Sequence, residues 1–164
     1  MGKKTAKTNA MRICDAAGIA YRVREYVCDG VNFDGEEVAK QVGLAPEKVF
    51  KTLVLRDDKN ALLVCCIPVH CHLNRKALAQ AAGVKAVDMI QVKELQGLTG
   101  YVRGGCSPIG MKKALPTFID ESALAQDEVA VSAGQRGMQM LLDPCALIQQ
   151  TRAQIGEFVS AKGD

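Results

Sequence analysis

Hydrophobic residues recur with two different periods along the chain, so the pattern predicts both helices and strands. Residues 8–17 have the helical period and end at a glycine, whereas residues 19–27 alternate as an exposed strand does. Asp34 and Glu37 resemble a capping box, which predicts a short helix that begins there and ends near Gly43.

Two apolar runs, residues 49–55 and 61–69, are joined by a polar stretch and predict a hairpin of buried strands. The pattern further predicts a helix over residues 74–82, a strand over 84–90, a helix over 92–98, strands over 117–120, 128–131 and 138–142, and a last helix from Asp143-Pro144.

Helices and strands are mixed without a regular βαβ alternation. We therefore predict an α/β (α+β) fold, with a single mixed, largely antiparallel sheet surrounded by helices. No linker divides the 164 residues. Residues 1–7 are predicted to form a disordered basic tail, and residues 8–164 a single domain.

Composition narrows the functional classes. Hydrophobic residues make up 48% of the chain and aromatic ones 4%, which is ordinary globular composition but disfavours a protein that reads bases mainly by stacking. The net charge of +3 permits contact with phosphates without requiring it. No apolar run reaches the ~18 residues of a membrane span, and the N-terminus is not a secretory signal. We therefore expect a cytoplasmic protein without a membrane partner.

Lys51 is the first candidate for chemistry. The strand period places it on the same face as Leu53 and Leu55. A lysine on the same face as two leucines either lies near the solvent-exposed end of its strand or enters a pocket. In a pocket its charge can bind an anion or a polarised carbonyl group. The pattern alone leaves both interpretations open.

Two glycine-rich segments are candidate binding loops. Residues 104–110 (Gly-Gly-Cys-Ser-Pro-Ile-Gly) could bring backbone amides close to an anion, and Lys112 and Lys113 beyond them could face phosphates or water. Residues 132–137 have a similar character, and Arg136 could form a bidentate contact with a phosphate or carboxylate. Either segment could equally be an ordinary turn between strands.

Cysteines and histidines cluster at Cys65-Cys66 and His70-Cys71-His72. Thiolates and imidazoles are zinc ligands, but the spacing lacks a Cys-x-x-Cys pair, so we predict no metal site and strand packing for the two adjacent cysteines. The seven cysteines are odd in number and irregularly spaced, which indicates reduced thiols. Both histidines of the chain lie here, and no nucleophile elbow is present, so a side-chain triad is not expected.

Three stretches carry a family resemblance. They are Val-Phe-Lys-Thr-Leu-Val-Leu at residues 49–55, Leu-Thr-Gly-Tyr-Val-Arg-Gly-Gly-Cys-Ser-Pro-Ile-Gly-Met-Lys-Lys at 98–113, and Val-Ser-Ala-Gly-Gln-Arg-Gly at 131–137. Together they resemble the signature sequences of the YbaK family, stand-alone deacylases related to the editing domain of bacterial prolyl-tRNA synthetases. The similarity runs from about residue 11 to residue 159 and implies a barrel-like editing-domain fold. We separately predict no cofactor and no metal.

The resemblance also implies a substrate, which is cysteine wrongly esterified to proline tRNA. Cysteine and proline are similar in size, and an apolar pocket rejects a near-isostere by only about 1–3 kcal/mol, so a second site must remove the errors. In the family, release is attributed to the thiol of the substrate, which attacks the ester and leaves as a thiolactone. The implied partners are aminoacylated tRNA and, through association, prolyl-tRNA synthetase.

The resemblance implies that Lys51 is the catalytic residue, at the ester or at the phosphate of the terminal adenosine. The substrate-binding residues that it implies are Tyr26, Phe33, Thr52, Tyr101, Gly104, Gly105, Ser132, Gly134 and Gln139. The candidate tRNA phosphate contacts are Lys112, Lys113 and Arg136.

Two departures from the family pattern, and two alternative functions, stay open at this point. Gln139 stands where relatives often carry an acid, and the loop at residues 70–72 is unlike theirs, so the aminoacyl preference can differ. One alternative is a deacylase that uses water to clear alanine or serine. The other is a non-catalytic module that binds tRNA or a synthetase. Clearance of a thiol-less ester would favour the first, and binding without turnover the second.

Overall fold

The computed structural model describes residues 6–28 and 34–160 and contains five helices and eight strands within these ranges. The helices are α1 (Asn9–Ala16), α2 (Gly35–Val42), α3 (Arg75–Ala82), α4 (Val92–Thr99) and α5 (Pro144–Thr151), with 3₁₀ turns at Pro46–Lys48 and Glu121–Ala125. The strands are β1 (Tyr21–Glu25), β2 (Phe50–Asp57), β3 (Leu62–Pro68), β4 (Val87–Met89), β5 (Thr117–Asp120), β6 (Val129–Ser132), β7 (Met138–Leu142) and β8 (Gln154–Gly156).

The strands form two sheets. The larger has the order β4-β2-β3-β5-β8, in which β5 runs parallel to both of its neighbours, and the smaller is the antiparallel set β1-β7-β6. An isolated parallel bridge joins Val49 to Ala130 at the point where the sheets meet. The prediction of a mixed, largely antiparallel α/β fold is confirmed. The prediction of one barrel-like sheet is corrected, because the pairing between the sheets does not continue past this bridge and the strands of the described ranges do not close into a barrel.

Hydrophobic clusters cover both faces of the larger sheet. Phe50 and Val54 of β2 pack into the cluster that also contains α1 and the inner face of the smaller sheet. Leu55 and the partly buried Leu53 face the other cluster, beside α3 and Phe158. The period-two prediction for β2 is therefore confirmed, and Lys51 shares the parity of these two leucines.

Several local predictions are corrected by the structure. Asp34 caps α2 by accepting a hydrogen bond from the Glu36 N–H at 3.1 Å, and a reciprocal contact of the capping-box kind instead joins Gln91 and Glu94 at the start of α4. Strand β8 and both 3₁₀ turns were not predicted, because three to five residues carry no readable period. Residues 1–5 of the predicted tail lie outside the described residues, so the disordered tail stays a prediction; Lys7 Nζ lies 2.6 Å from a carboxylate oxygen of Asp15.

The longest helices of the described ranges have eight residues, so none of them is long enough to cross a membrane.

Helix α1 holds the two glycine-rich segments together. The Thr8 hydroxyl donates to the carbonyl oxygen of Ala133, and the Asn9 amide donates to that of Gly110. Gly105 lies directly against the other segment, since a Cβ atom there would come within 3.0 Å of backbone atoms of Gln135 and Arg136. The loops are thus packed backbone to backbone.

This packing predicts opposite effects for two glycine-to-alanine substitutions. Gly105→Ala is expected to lower the free energy of unfolding by about 1–3 kcal/mol, because backbone atoms must move to admit the methyl group. Gly97→Ala, within α4 where nothing lies within 4 Å, is the matched control and is expected to raise it by about 0.5–1 kcal/mol. Urea unfolding measures both. Equal stability of the two variants would contradict the close packing of the loops.

Candidate functional site

A cleft of about 240 Å³ opens where the two sheets part. It contains six of the residues predicted from the sequence, which are Tyr26, Lys51, Thr52, Gly104, Ser132 and Gln139. They come from β2, from the end of β1, from the two glycine-rich segments and from β7. The structure therefore brings together residues that are more than one hundred positions apart in the sequence.

The position of Lys51 follows from the bridge between the sheets. Val49 and Ala130 pair in parallel, and the residues two positions further along each strand, Lys51 and Ser132, lie on the same side as they do. Gln139 is the antiparallel partner of Ser132 in the ladder between β6 and β7, so its side chain also lies on that face. The three polar side chains are thereby directed to one opening.

The Lys51 ammonium is half-buried and makes no hydrogen bond or ion pair with any residue of the ranges 6–28 and 34–160. Burial lowers its pKa from the ordinary value for lysine, and this outweighs the opposing attraction of Cys71, Glu36 and Asp34. A charge that is partly stripped of water, and that has no partner in the part of the chain the structure describes, is available to an anionic or polarised group of a ligand.

Hydroxyl groups lie on both walls of the cleft. On β2, Thr52 Oγ1 lies 3.7 Å from Cys66 Sγ. On the opposite wall, Ser132 Oγ accepts a hydrogen bond from the Gly134 N–H at 3.2 Å, which leaves the serine proton to be donated elsewhere. The Tyr26 hydroxyl donates to the carbonyl oxygen of Gly104 at 3.4 Å and closes one end. These hydroxyls can donate to a bound ester or its oxyanion.

Gln139 has a hydrogen-bond acceptor in the cleft that no described residue satisfies. Its side chain is 6% exposed, and its Oε1 atom is buried with no hydrogen-bond partner within the part of the chain that the structure describes. An unsatisfied buried acceptor costs about 1–3 kcal/mol. A ligand that brings a donor to this atom would recover that cost.

Only part of the longer glycine-rich segment, residues 104–110, lines the cleft. Arg103, Gly104 and the largely buried Cys106 line the opening, whereas Gly105 and residues 107–109 are buried and do not line it. Gly104 has a φ of +83°, which suits glycine and turns the backbone at the rim of the cleft.

Three predicted substrate residues lie behind the wall of the cleft instead of lining it. Tyr101 is 8% exposed, donates to the Ile109 carbonyl oxygen at 2.6 Å, and has its pKa raised to about 12 by burial. Its ring supports Gly134, where a Cβ atom would come within 3.0 Å of it. Gly105 is buried against the neighbouring turn. Their observed contacts are with the loops, so they position the residues that line the cleft.

The predicted phosphate contacts are spread over the surface. Lys112 is exposed, and its Nζ donates to the Gly97 carbonyl oxygen at 3.4 Å. Lys113 lines a separate cavity beside α5. Arg136 lies in a groove that adjoins the cleft. Phe33, the remaining predicted substrate residue, lies outside the described residues.

Three thiols near the cleft have raised pKa values, which favour their protonated form. Burial raises the pKa of Cys66 to about 12 and that of Cys106 to about 11, and it also raises the pKa of Cys71. A thiol must lose its proton to act as a nucleophile or a metal ligand. Among residues 6–28 and 34–160, no three histidine, cysteine or acidic side chains are grouped so that they could hold a metal ion.

Sequence reasoning missed nine residues of the cleft wall, which are Cys28, Gly35, Val38, Val49, Phe50, Leu53, Val69, Arg103 and Cys106. Gly35 could have been found from the sequence, because a glycine in the first turn of a helix lowers stability and therefore indicates a steric or functional requirement. The requirement is steric: the Gly35 backbone lies so close to Val69 that a Cβ atom at Gly35 would be only 2.7 Å from Val69 Cγ1. The other residues are apolar or adjacent to motifs, and only the tertiary structure assigns them to the site.

Comparison with known sequences identifies the family to which this cleft belongs. The family model described as the aminoacyl-tRNA editing domain matches residues 33–149, which is well over half of the chain. The chain belongs to the aminoacyl-tRNA editing domain family. The YbaK-family resemblance predicted from the sequence is confirmed, and with it the class of enzyme, an aminoacyl-tRNA deacylase.

One sequence relative and two solved structures resemble this editing domain over nearly the whole chain. EbsC of Enterococcus faecalis, provisionally named a Cys-tRNA(Pro)/Cys-tRNA(Cys) deacylase, is 42% identical over 159 residues, which cover 96% of this chain and 97% of the relative. Among solved structures, hypothetical protein APE2540 has a TM-score of 0.84 at 22% identity and covers 93% of this chain and 100% of its own. A protein provisionally described as a trans-editing enzyme for prolyl-tRNA synthetase has a TM-score of 0.81 at 22% identity, with 96% and 100% covered. At this identity the two structures establish the fold.

The burial of Lys51 in this editing domain predicts that its charge costs stability. Below the folded-state pKa, lysine is charged in both the folded and unfolded states, and only the folded state loses hydration. As the pH rises through the lowered folded-state pKa towards the ordinary value of about 10.4, the folded state releases its proton first and the cost disappears.

Lys51→Met is therefore expected to raise the free energy of unfolding at neutral pH by about 0.5–2 kcal/mol, and by less above about pH 10. Lys76→Met, at an exposed position of α3, is the control and should change it by no more than about 0.5 kcal/mol. Urea unfolding at both pH values measures the difference. A Lys51→Met variant that is less stable than the parent at neutral pH would contradict the assigned environment.

Proposed function

We propose that this editing domain is a trans-acting deacylase that releases cysteine from proline tRNA, with Lys51 at the reacting ester. The observation that carries the proposal is the half-buried Lys51 ammonium, which has no partner among residues 6–28 and 34–160 and faces a cleft of about 240 Å³. The 42% identical relative, provisionally named a Cys-tRNA(Pro)/Cys-tRNA(Cys) deacylase, supports cysteine as the amino acid.

The thiol of the substrate supplies the nucleophile in this proposal. Its sulfur attacks the ester carbonyl, the ribose oxygen leaves and takes up the thiol proton, and the amino acid departs as a cyclic thiolactone that water then opens. The raised pKa values of the Cys66, Cys71 and Cys106 thiols support this route, because these thiols are not thiolates at neutral pH. The protein contributes alignment, which is worth several kcal/mol in well-oriented intramolecular reactions.

Lys51 and the surrounding donors stabilise the oxyanion that forms on the ester carbonyl. One donor aimed at such an oxyanion is worth about 2.7–4 kcal/mol. The hydroxyls of Thr52 and Ser132, and backbone N–H groups near Gly104, are the further donors that we assign to this role. Tyr26 closes the cleft over the aminoacyl group.

Gln139 fixes the orientation of the amino acid in this proposal. Its buried Oε1 atom has no partner within the described ranges, and the ammonium group of an aminoacyl ester is a donor of the right kind. Because glutamine is neutral, the contact is a hydrogen bond to a charged group, worth about 1.5–3 kcal/mol, without the attraction that a carboxylate would add.

We further propose that the choice of tRNA comes from a partner. The net charge of +3 offers little general attraction for RNA, so association with prolyl-tRNA synthetase would deliver the mischarged product before release. This proposal keeps the protein in the cytoplasm, where tRNA is charged and used.

Single-turnover deacylation of cysteinyl- and alanyl-tRNA(Pro) tests the function. The protein is expected to clear the cysteinyl ester well above the rate in buffer and the alanyl ester close to that rate. Lys51→Ala should slow clearance of the cysteinyl ester by about 100- to 1,000-fold, because one transition-state charge contact is lost. Lys76→Ala removes an exposed lysine from α3 and should leave the rate unchanged.

Two results would contradict the proposal in different ways. Equal clearance of the alanyl ester would replace the thiol route by one that uses water. Clearance of neither ester above the buffer rate would leave a module that binds tRNA or a synthetase without catalysis.

A further inference from the structure

A cysteine that the proposed reaction does not use lies at the boundary between the cleft and the groove beside it. Cys28 is partly exposed, and it lines both the cleft of about 240 Å³ and the groove of about 680 Å³. We propose that Cys28 is a redox modification site, where cystine forms a mixed disulfide whose cysteine half fills the cleft and stops deacylation. This inference rests on the proposed function and adds a means of regulating the same site.

Access distinguishes Cys28 from the neighbouring thiols. Cys106 also lines the cleft, but it is buried, and burial raises its pKa to about 11. Cys66, beside Thr52, is fully buried, and burial raises its pKa to about 12. Thiol–disulfide exchange requires a thiolate and a path to the attacking sulfur, and burial opposes both. Cys28 borders the groove, so a disulfide can approach it, and a leaving group can depart, from that side.

The cleft also contains groups that match the two charges of a free amino acid. Gln139 is 6% exposed, and its Oε1 atom is buried with no hydrogen-bond partner in the described ranges. The α-ammonium group of a cysteine half held at Cys28 would donate to this atom. The ammonium group of Lys51, which lines the same cleft, would bind the α-carboxylate.

The volume of the cleft suits a single amino acid. Pockets that enclose a drug-sized ligand measure about 300–1,000 Å³, and the cleft, at about 240 Å³, is smaller. One half of cystine therefore fits, whereas the tripeptide half of oxidised glutathione is too large to be enclosed. A cysteine half in this position excludes the aminoacyl end of the tRNA, because both need the Gln139 acceptor and the Lys51 ammonium.

The exchange needs no oxidant other than cystine. The Cys28 thiol loses its proton to solvent, and its sulfur attacks one sulfur of cystine while the S–S bond of cystine breaks. A new S–S bond joins Cys28 to one cysteine half, and the other half takes up a proton and leaves as free cysteine. Cys28 is oxidised from a thiol to a disulfide, and one sulfur of cystine is reduced to a thiol. An added thiol reverses the step by the same route.

Peptide mass spectrometry of the whole protein after treatment with a disulfide tests the site without turnover. The reagents are cystine and dithiodipropionate, which has the carboxylates of cystine but no ammonium groups. Cys145 of α5 is exposed and does not line the cleft, so it serves as the reference within the same molecule. Relative to Cys145, Cys28 is expected to react about tenfold faster with cystine than with dithiodipropionate, because only cystine brings a donor to Gln139.

A pair of variants tests the recognition group itself. Gln139→Met keeps the approximate shape of the side chain and removes the acceptor, so most of the preference for cystine should be lost. Gln80→Met, at an exposed position of α3, is the matched control and should leave the preference unchanged.

Single-turnover deacylation of cysteinyl-tRNA(Pro) connects the modification to function. Each protein is compared with itself before and after treatment with cystine. The parent and Cys145→Ser should lose activity in proportion to the fraction of Cys28 modified, and dithiothreitol should restore it. Cys28→Ser should keep its own starting rate after treatment.

Three results would overturn the assignment. They are equal relative rates with the two reagents, modification of Cys28 without loss of clearance, and loss of clearance in the treated Cys28→Ser variant, which would transfer the effect to another thiol. An untreated protein that clears no cysteinyl ester, but whose Cys28 prefers cystine, would contradict the proposed function and support the cystine site.

Discussion

The site depends on the short pairing between Val49 and Ala130, where the two sheets touch before they part. Around this bridge, small apolar residues of α2, β6 and β7 form a separate buried cluster that holds the sheets together. Because side chains alternate along each strand, the residues two positions beyond the bridge, Lys51 and Ser132, must lie on the same side of the junction. A continuous ladder here would leave no cleft, and the bridge and this cluster together hold the walls at a fixed distance.

The same arrangement explains why polar groups without partners occur in this part of the molecule. Lys51 loses part of its hydration, and the Gln139 acceptor has no partner in the described ranges, so both are costs that burial elsewhere must offset. Contacts of Thr8 with Ala133 and of Gly105 with the neighbouring turn join the two glycine-rich segments beside these groups. Costs of this kind are typical of sites that wait for a ligand to supply the missing contacts.

The sequence was informative wherever a residue type itself is unusual in its setting. A lysine between leucines pointed to Lys51, and the period of β2 gave its face correctly. The motifs also pointed to Thr52, Gly104, Ser132 and Gln139, which all line the cleft. The sequence could not separate residues that line a site from those that support it, so Tyr101 and Gly105 were grouped with the cleft although they lie behind it.

Other features depend on tertiary structure and had no local signal. Strand β8 exists because β5 offers it a parallel edge, and Arg103 and Cys28 reach the cleft because of where their loops pack. The division into two sheets follows from a ladder that stops after one bridge, which no period along the chain reveals. The groove beside the cleft is likewise formed by two separate segments, residues 25–28 and 135–138, whose proximity comes from pairing across β1 and β7.

The central claim is that the protein supplies charge and alignment while the substrate supplies the nucleophile. The most direct measurement compares single-turnover clearance of cysteinyl-tRNA(Pro) with that of its S-methylcysteinyl counterpart, with competition binding to establish that both esters occupy the site. The account predicts that methylation of the sulfur reduces clearance to the rate in buffer although binding persists. Clearance of the methylated ester at a rate similar to that of the cysteinyl ester would contradict it, and would show that water or a group of the protein attacks the ester.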